Sequence, residues 1–105
     1  MDIVPDVELR TALNNRLKDW TLHDKHLEQT FHFPSFRFAK QFVDKVADLA
    51  EEMGHHPDIS LNYDKVTISL TSHDAKGITY RDVTLAGKIQ EIAPQFTHPS
   101  KLRSA

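Results

Sequence analysis

The sequence predicts an α+β fold: a four-stranded antiparallel sheet with helices packed on one face, in the order α-ββ-α-ββ-α. Three observations predict it. Two pairs of short stretches alternate apolar with polar residues at period two, as strands with one wet and one dry face do. Between the pairs, a long segment repeats apolar residues at i, i+3, i+4 and i+7, as an amphipathic helix does. Length is the third: 105 residues make one core but not two, so a single domain over 1–105 is expected.

Pro5-Asp6 reads as a helix start with Asp6 as the N-cap, and Leu9, Leu13 and Leu17 follow at helical spacing. In the first predicted hairpin Trp20 and Leu22 alternate with Asp19, Thr21 and His23. After a turn at Asp24-Lys25, Leu27, Phe31 and Phe33 alternate with Glu28, Thr30 and His32. Pro34-Ser35 closes the strand and opens the longest helix, whose stripe is Ala39, Phe42, Val43, Val46, Ala50 and Met53, with Gly54 as its C-terminal cap. In the second hairpin Ile59, Leu61 and Tyr63 share one parity, Asp64-Lys65 is the turn, and Val66, Ile68 and Leu70 return on the dry face. Thr79 and Asp82 are spaced as a capping box, with Asp in place of Glu. Leu85, Ala86, Ile89, Ile92, Ala93 and Phe96 give the last helix its apolar face. Pro94 is expected to end or kink that helix, and the tail from Thr97 to fray. The two ββα halves look like a weak internal duplication.

Composition excludes several classes of function. The chain has no cysteine, which removes disulfides, thiolate chemistry and Cys-ligated zinc or iron–sulfur centres. No apolar run approaches the roughly 20 residues that cross a bilayer. Met1 to Asp6 lack a basic region followed by an apolar stretch, so a cytoplasmic protein with no signal peptide and no membrane contact is expected. Thirteen Lys and Arg against fifteen Asp and Glu leave a net charge of −2. A nucleic-acid binder has a basic excess, so direct nucleic-acid contact is not expected.

The chemistry concentrates in seven histidines, three of which the topology gathers. His55 and His56 join the long helix to the third strand, and His73 lies just past the fourth. In an antiparallel hairpin the start of one strand lies beside the end of the next, so all three come to one end of the sheet. Adjacent residues of a regular strand point to opposite faces; Pro57 biases His56 away from helical backbone and so favours an irregular local path. Singly, each has an ordinary reading: loop filler for His56, a solvated strand end for His73, a helix cap for Asp82, an exposed helix residue for Glu51. Zinc is one use of three imidazoles and a carboxylate, but the side chains of adjacent histidines diverge, and no His-x-x-x-His pair sits on a helix. Acid–base catalysis fits better, because imidazole gives and takes a proton near neutral pH. His23, His26, His32 and His98 show no such convergence and read as solvated.

The pattern Glu51-x3-His55-His56-Pro57-x5-Tyr63-x9-His73-x8-Asp82 resembles the signature of the pterin-4a-carbinolamine dehydratases, also called dimerisation cofactors of a hepatic homeodomain transcription factor. Further blocks are similar: Leu17-Lys18-Asp19-Trp20, Phe31 to Phe36, Phe42 to Ala47 and Val66 to Leu70. The likeness runs from Leu9 to Ala93. It departs at Ser72, where many members carry Thr, and in the tail after Phe96.

The resemblance implies dehydration of 4a-hydroxytetrahydrobiopterin to quinonoid dihydrobiopterin, recycling tetrahydrobiopterin for aromatic amino-acid hydroxylases without a metal or an organic cofactor. It implies His55 and His73 as acids and His56 as the residue that orients the pterin and acts as base. Glu51 would hold a histidine in one tautomer, and Asp82, with Arg81 beside it, would brace the pocket wall. Pro57, Asp58, Ser72 and Asp74 complete the expected supporting set. Trp20 joins it as an aromatic surface for the flat pterin, with a place in the core as the other reading. Members form dimers or tetramers, and the partners implied are a pterin, further copies of the chain and a pterin-dependent hydroxylase. A non-catalytic protein-binding module on the same fold, a coactivator or an assembly factor, is the alternative.

Overall fold

The computed structural model describes residues 3–97; His98 and the tail beyond it lie outside the described residues. The elements are α1 (Asp6–Asn14), β1 (Thr21–His23), β2 (His26–His32), α2 (Phe36–Met53), β3 (Asp58–Asn62), β4 (Lys65–Leu70), α3 (Tyr80–Ile92) and a single turn, α4 (Pro94–Thr97). The four strands form one antiparallel sheet in the order β1-β2-β4-β3. The two hairpins therefore join through their second strands, with Leu27 opposite Leu70 and Phe31 opposite Val66.

Register follows the hydrophobic pattern, because a one-residue slip moves every side chain to the other face. Leu27, Phe31, Val66, Ile68 and Leu70 are buried on the dry face. Thr30 and Thr67 meet on the wet face through their hydroxyls at 2.9 Å. α2 covers the dry face. Its Phe42 is fully buried, with ring centroids 4.9 Å from Phe31 and 4.8 Å from Phe33. Ser35 caps this helix by accepting from the Phe38 N–H at 3.2 Å, and Gly54 ends it in the left-handed conformation, φ 63°.

Several expectations are corrected. α1 is preceded by extended Pro5, and Asp6 is its first residue instead of its cap; a carboxylate there still faces the positive end of the helix dipole. The helix stops at Asn14, because Asn15 adopts a non-helical conformation, and Leu17 is buried beyond it in an irregular turn. Leu22 is exposed although it sits opposite Leu27, since β1 is the sheet edge. The second hairpin turns at Tyr63-Asp64, with Asn62 opposite Lys65. Tyr63 has φ 55° and its ring is exposed, so it leaves the dry-face parity. Pro94 ends α3, as expected, and starts a separate turn, so Phe96 lies outside the helix whose apolar face it was expected to join.

Candidate active site

The site is built where α2 hands the chain to β3 and where β4 hands it to α3. At the first junction Gly54 turns the backbone, and the His55 N–H closes the helix on the Ala50 carbonyl at 3.1 Å. That reversal sends His55 inward and leaves His56 exposed. Half-buried Pro57 follows, then Asp58 opens β3 opposite Ser69 on the wet face. At the second junction β4 ends at Leu70, and Ser72 forms an isolated bridge with Gly77. Between them His73 to Lys76 make a turn, exposed except at half-buried Ala75, closed by the Lys76 N–H on the His73 carbonyl at 3.2 Å. Thr79 then caps α3, which places Asp82 in its first turn.

The centre of the site is a buried carboxylate. Asp82 has no solvent exposure. Its Oδ1 lies 2.5 Å from His55 Nε2. Its Oδ2 accepts from the Ser72 hydroxyl at 2.8 Å and from the Thr79 N–H at 2.9 Å. The Ser72 and Thr79 hydroxyls meet at 2.8 Å. A buried carboxylate is tolerated only when its lone pairs are occupied, and here both oxygens are.

Two exposed pairs flank it. His56 Nε2 lies 3.0 Å from Glu51 Oε1, so Glu51 pairs with His56 and Asp82 with His55. Arg81 donates to Asp74 at 2.8 Å, tying the His73 turn to α3. That guanidinium hydrogen bond, and less strongly its charge, hold Asp74 below the ordinary aspartate value of 3.8. The Nε of Arg81 is buried without a partner among the described residues.

The structure thus brings His55, Ser72 and Asp82 into one network and places His56, Glu51, His73, Asp74 and Arg81 at the same end of the sheet. Trp20 stands apart. It is 2% exposed, packs edge-on to Phe31 at 5.9 Å and donates its indole N–H to Gln90 Oε1 at 3.1 Å. It is a core residue, and offers no free face to a flat ligand. His23 and His32 are exposed, and His26 is half-buried with Nδ1 2.8 Å from the Asp24 carbonyl. Thr79, read from the sequence only as a helix cap, also belongs to this buried network. The Thr79-x-x-Asp82 spacing marks it as a cap, and Asp82's membership of the histidine pattern is the signal that ties the cap to the site. Among the described residues no group of three His, Cys, Asp or Glu side chains is arranged to hold a metal ion. No helix among them is long and apolar enough to cross a membrane. A cavity of about 280 Å³ is lined by Ile3, Leu9, Leu22 and Ile78 and reaches Lys76 and Gly77 at the end of the His73 turn, and no histidine lines it.

A family model described as pterin 4 alpha carbinolamine dehydratase matches residues 3–92. A relative from Koribacter versatilis is 48% identical over 89 residues, spanning 85% of this chain and 94% of that protein. It carries the name pterin-4-alpha-carbinolamine dehydratase provisionally. A crystal structure of a transcriptional coactivator/pterin dehydratase from Brucella melitensis superposes with a TM-score of 0.82 at 30% identity, over 88% of this chain and 99% of that one. A pterin dehydratase-like protein described as a RuBisCO assembly factor of the alpha-carboxysome superposes with a TM-score of 0.59 at 25% identity, over 70% and 86% of the two chains.

Proposed function

The chain belongs to the pterin 4 alpha carbinolamine dehydratase family, and we propose that it dehydrates 4a-hydroxytetrahydrobiopterin to quinonoid dihydrobiopterin and water. The C4a–O bond breaks as an acid protonates the departing hydroxyl. A base removes the N5 proton, and the nitrogen pair left behind forms the C4a=N5 double bond. Imidazoles flanking one carbon supply both functions, and the proposed step consumes no reductant, oxidant or nucleophile. His55, His56 and His73 share the proton transfers. Glu51 orients His56, Asp82 orients His55, and the Arg81–Asp74 pair fixes the turn that carries His73. The product is reduced again to tetrahydrobiopterin for aromatic amino-acid hydroxylases, and the working unit is a homo-oligomer.

The observation that supports this reading best is the His55–Asp82 pair, 2.5 Å apart and buried, within the residues 3–92 that the family model matches. The test mixes purified protein with the carbinolamine released by a pterin-dependent hydroxylase and follows the quinonoid product by absorbance. Catalytic amounts should raise the rate above the spontaneous one; a hundredfold gain corresponds to about 2.7 kcal/mol. The gain should shrink at low pH as the base imidazole takes up a proton.

The fold shared with the RuBisCO assembly factor favours a second reading, a non-catalytic protein-binding module. A protein that binds pterin yet gives the spontaneous rate at every pH would establish that reading in place of the first.

A further inference from the structure

We propose that Ser72, Thr79 and Asp82 form a positioning unit that holds neutral His55 as the Nε2–H tautomer, with Nδ1 as its working nitrogen. The kinetic part of this inference rests on the dehydratase reading; the tautomer does not.

The hydrogen-bond directions follow from what each group is able to give. A carboxylate only accepts. With Asp82 ionised, the proton between it and His55 at 2.5 Å therefore lies on Nε2. The Thr79 N–H is an obligate donor, and it is spent on Oδ2 at 2.9 Å. The Ser72 hydroxyl has a single proton, also spent on Oδ2, at 2.8 Å. Facing Thr79 at 2.8 Å, the Ser72 oxygen then accepts, and the Thr79 hydroxyl donates to it in preference to Asp82 Oδ2, which lies farther away at 3.4 Å. The chain of donors runs one way, from Thr79 through Ser72 to Asp82, with His55 donating from the far side. Every link is buried: Ser72 and Thr79 are each 1% exposed, Asp82 0% and His55 7%. Water therefore does not readily exchange the pattern. The cap of α3 thus has a second role, since the carboxylate that closes the helix also fixes a histidine 27 residues away.

The unit predicts a specific failure. In Asp82→Asn the amide has one acceptor and one donor end. Its oxygen must face the Thr79 N–H, because an amide nitrogen there would set donor against donor. Its NH2 then faces His55 Nε2, which must accept, and the ring proton moves to Nδ1. An imidazole in this state presents a proton where the wild type presents a lone pair, so the loss of rate follows with His55 as a base of the step and not as the acid that the resemblance implies.

Two-bond 15N–1H correlation spectra, recorded above the ordinary histidine titration range, report the tautomer directly. The wild type should show His55 protonated on Nε2, and Asp82→Asn should show it on Nδ1. In the carbinolamine assay Asp82→Asn should lose about 10²-fold of the catalysed rate, while KM changes little. Thr79→Ser, which keeps the hydroxyl, should retain wild-type turnover, and Thr79→Val should lose part of kcat with its melting curve still cooperative. A wild-type His55 protonated on Nδ1 overturns the proposal, and that measurement needs no variant to fold. A folded Asp82→Asn with the wild-type tautomer also overturns it. If wild-type protein has no dehydratase activity, the function proposed above fails while the spectra still decide the tautomer.

Discussion

His55 and His56 are neighbours in sequence with opposite surroundings. Each ring places Nε2 on a carboxylate, but the side chains of the His55–Asp82 pair are 8% and 0% exposed and those of His56–Glu51 are 64% and 77% exposed. Substitution should therefore affect them differently. His55→Ala removes a partner from a buried carboxylate, so it should cost stability, about 1–3 kcal/mol, as well as rate. In His55→Gln the amide nitrogen still donates to Asp82, so the variant should unfold in urea near the wild-type midpoint while losing part of the catalysed rate. His56→Ala should leave the midpoint unmoved and lower the rate. His73→Ala should retain residual activity, and the His55→Ala/His73→Ala double variant should fall to the spontaneous rate. His32, opposite Lys65 at the far end of the sheet, is the control, and His32→Ala should be silent in both measurements. The histidines and Asp82 were legible in the sequence as a spacing. Which carboxylate meets which ring was not, because His55 and Asp82 are joined by the packing of α2 against α3 and not by local geometry. Trp20 shows the same limit: an aromatic beside a strand reads equally as ligand platform or core until its burial is known.

At the scale of elements, junctions position the site, and local chemistry dictates them. Gly54 has φ 63° and nothing within 4 Å of where a Cβ would stand. The cost of Gly54→Ala is therefore the left-handed conformation alone, about 1 kcal/mol, read as a lower urea midpoint, and Gly54→Asn should recover part of it. The turn carrying His73 is held by Arg81 and Asp74. Asp74 titrates below its unfolded value of 3.8, so its contribution to stability is complete above that value and is lost as pH falls through the lower folded one. The midpoint difference between wild type and Asp74→Asn should be present at pH 7 and vanish in strong acid. An unchanged difference across that range would remove the pair's role. Helix α2 was legible from its stripe, its Pro34-Ser35 start and its glycine stop, because all three signals are local. The second turn was misplaced by one residue because Tyr63 continues the alternation of Ile59 and Leu61. Its positive φ arises from pairing Asn62 with Lys65, which no local preference of tyrosine announces.

For the whole molecule, the joining of β2 to β4 leaves β1 and β3 as the two edges. They differ as edges. β1 is three residues long and fully exposed, and a turn of Asp24 and Lys25 ends it; short strands flanked by charge resist pairing with another chain. β3 is five residues long, with Ile59 and Leu61 half-buried on its dry side. One flank of its backbone is paired with β4, and the other is open among the described residues. A second copy laid antiparallel along β3 would satisfy those backbone groups and cover both side chains. Light scattering at micromolar concentration should accordingly give a mass at least twice 12.1 kDa. Leu61→Lys places a charge at that junction. Because Leu61 is already partly exposed, the variant should stay folded and run at the monomer mass. A wild-type protein that is monomeric throughout the concentration range would refute pairing through β3. So would a Leu61→Lys variant that keeps the wild-type mass, since a charge buried at a strand–strand seam without a partner costs several kcal/mol and would not leave the assembly intact.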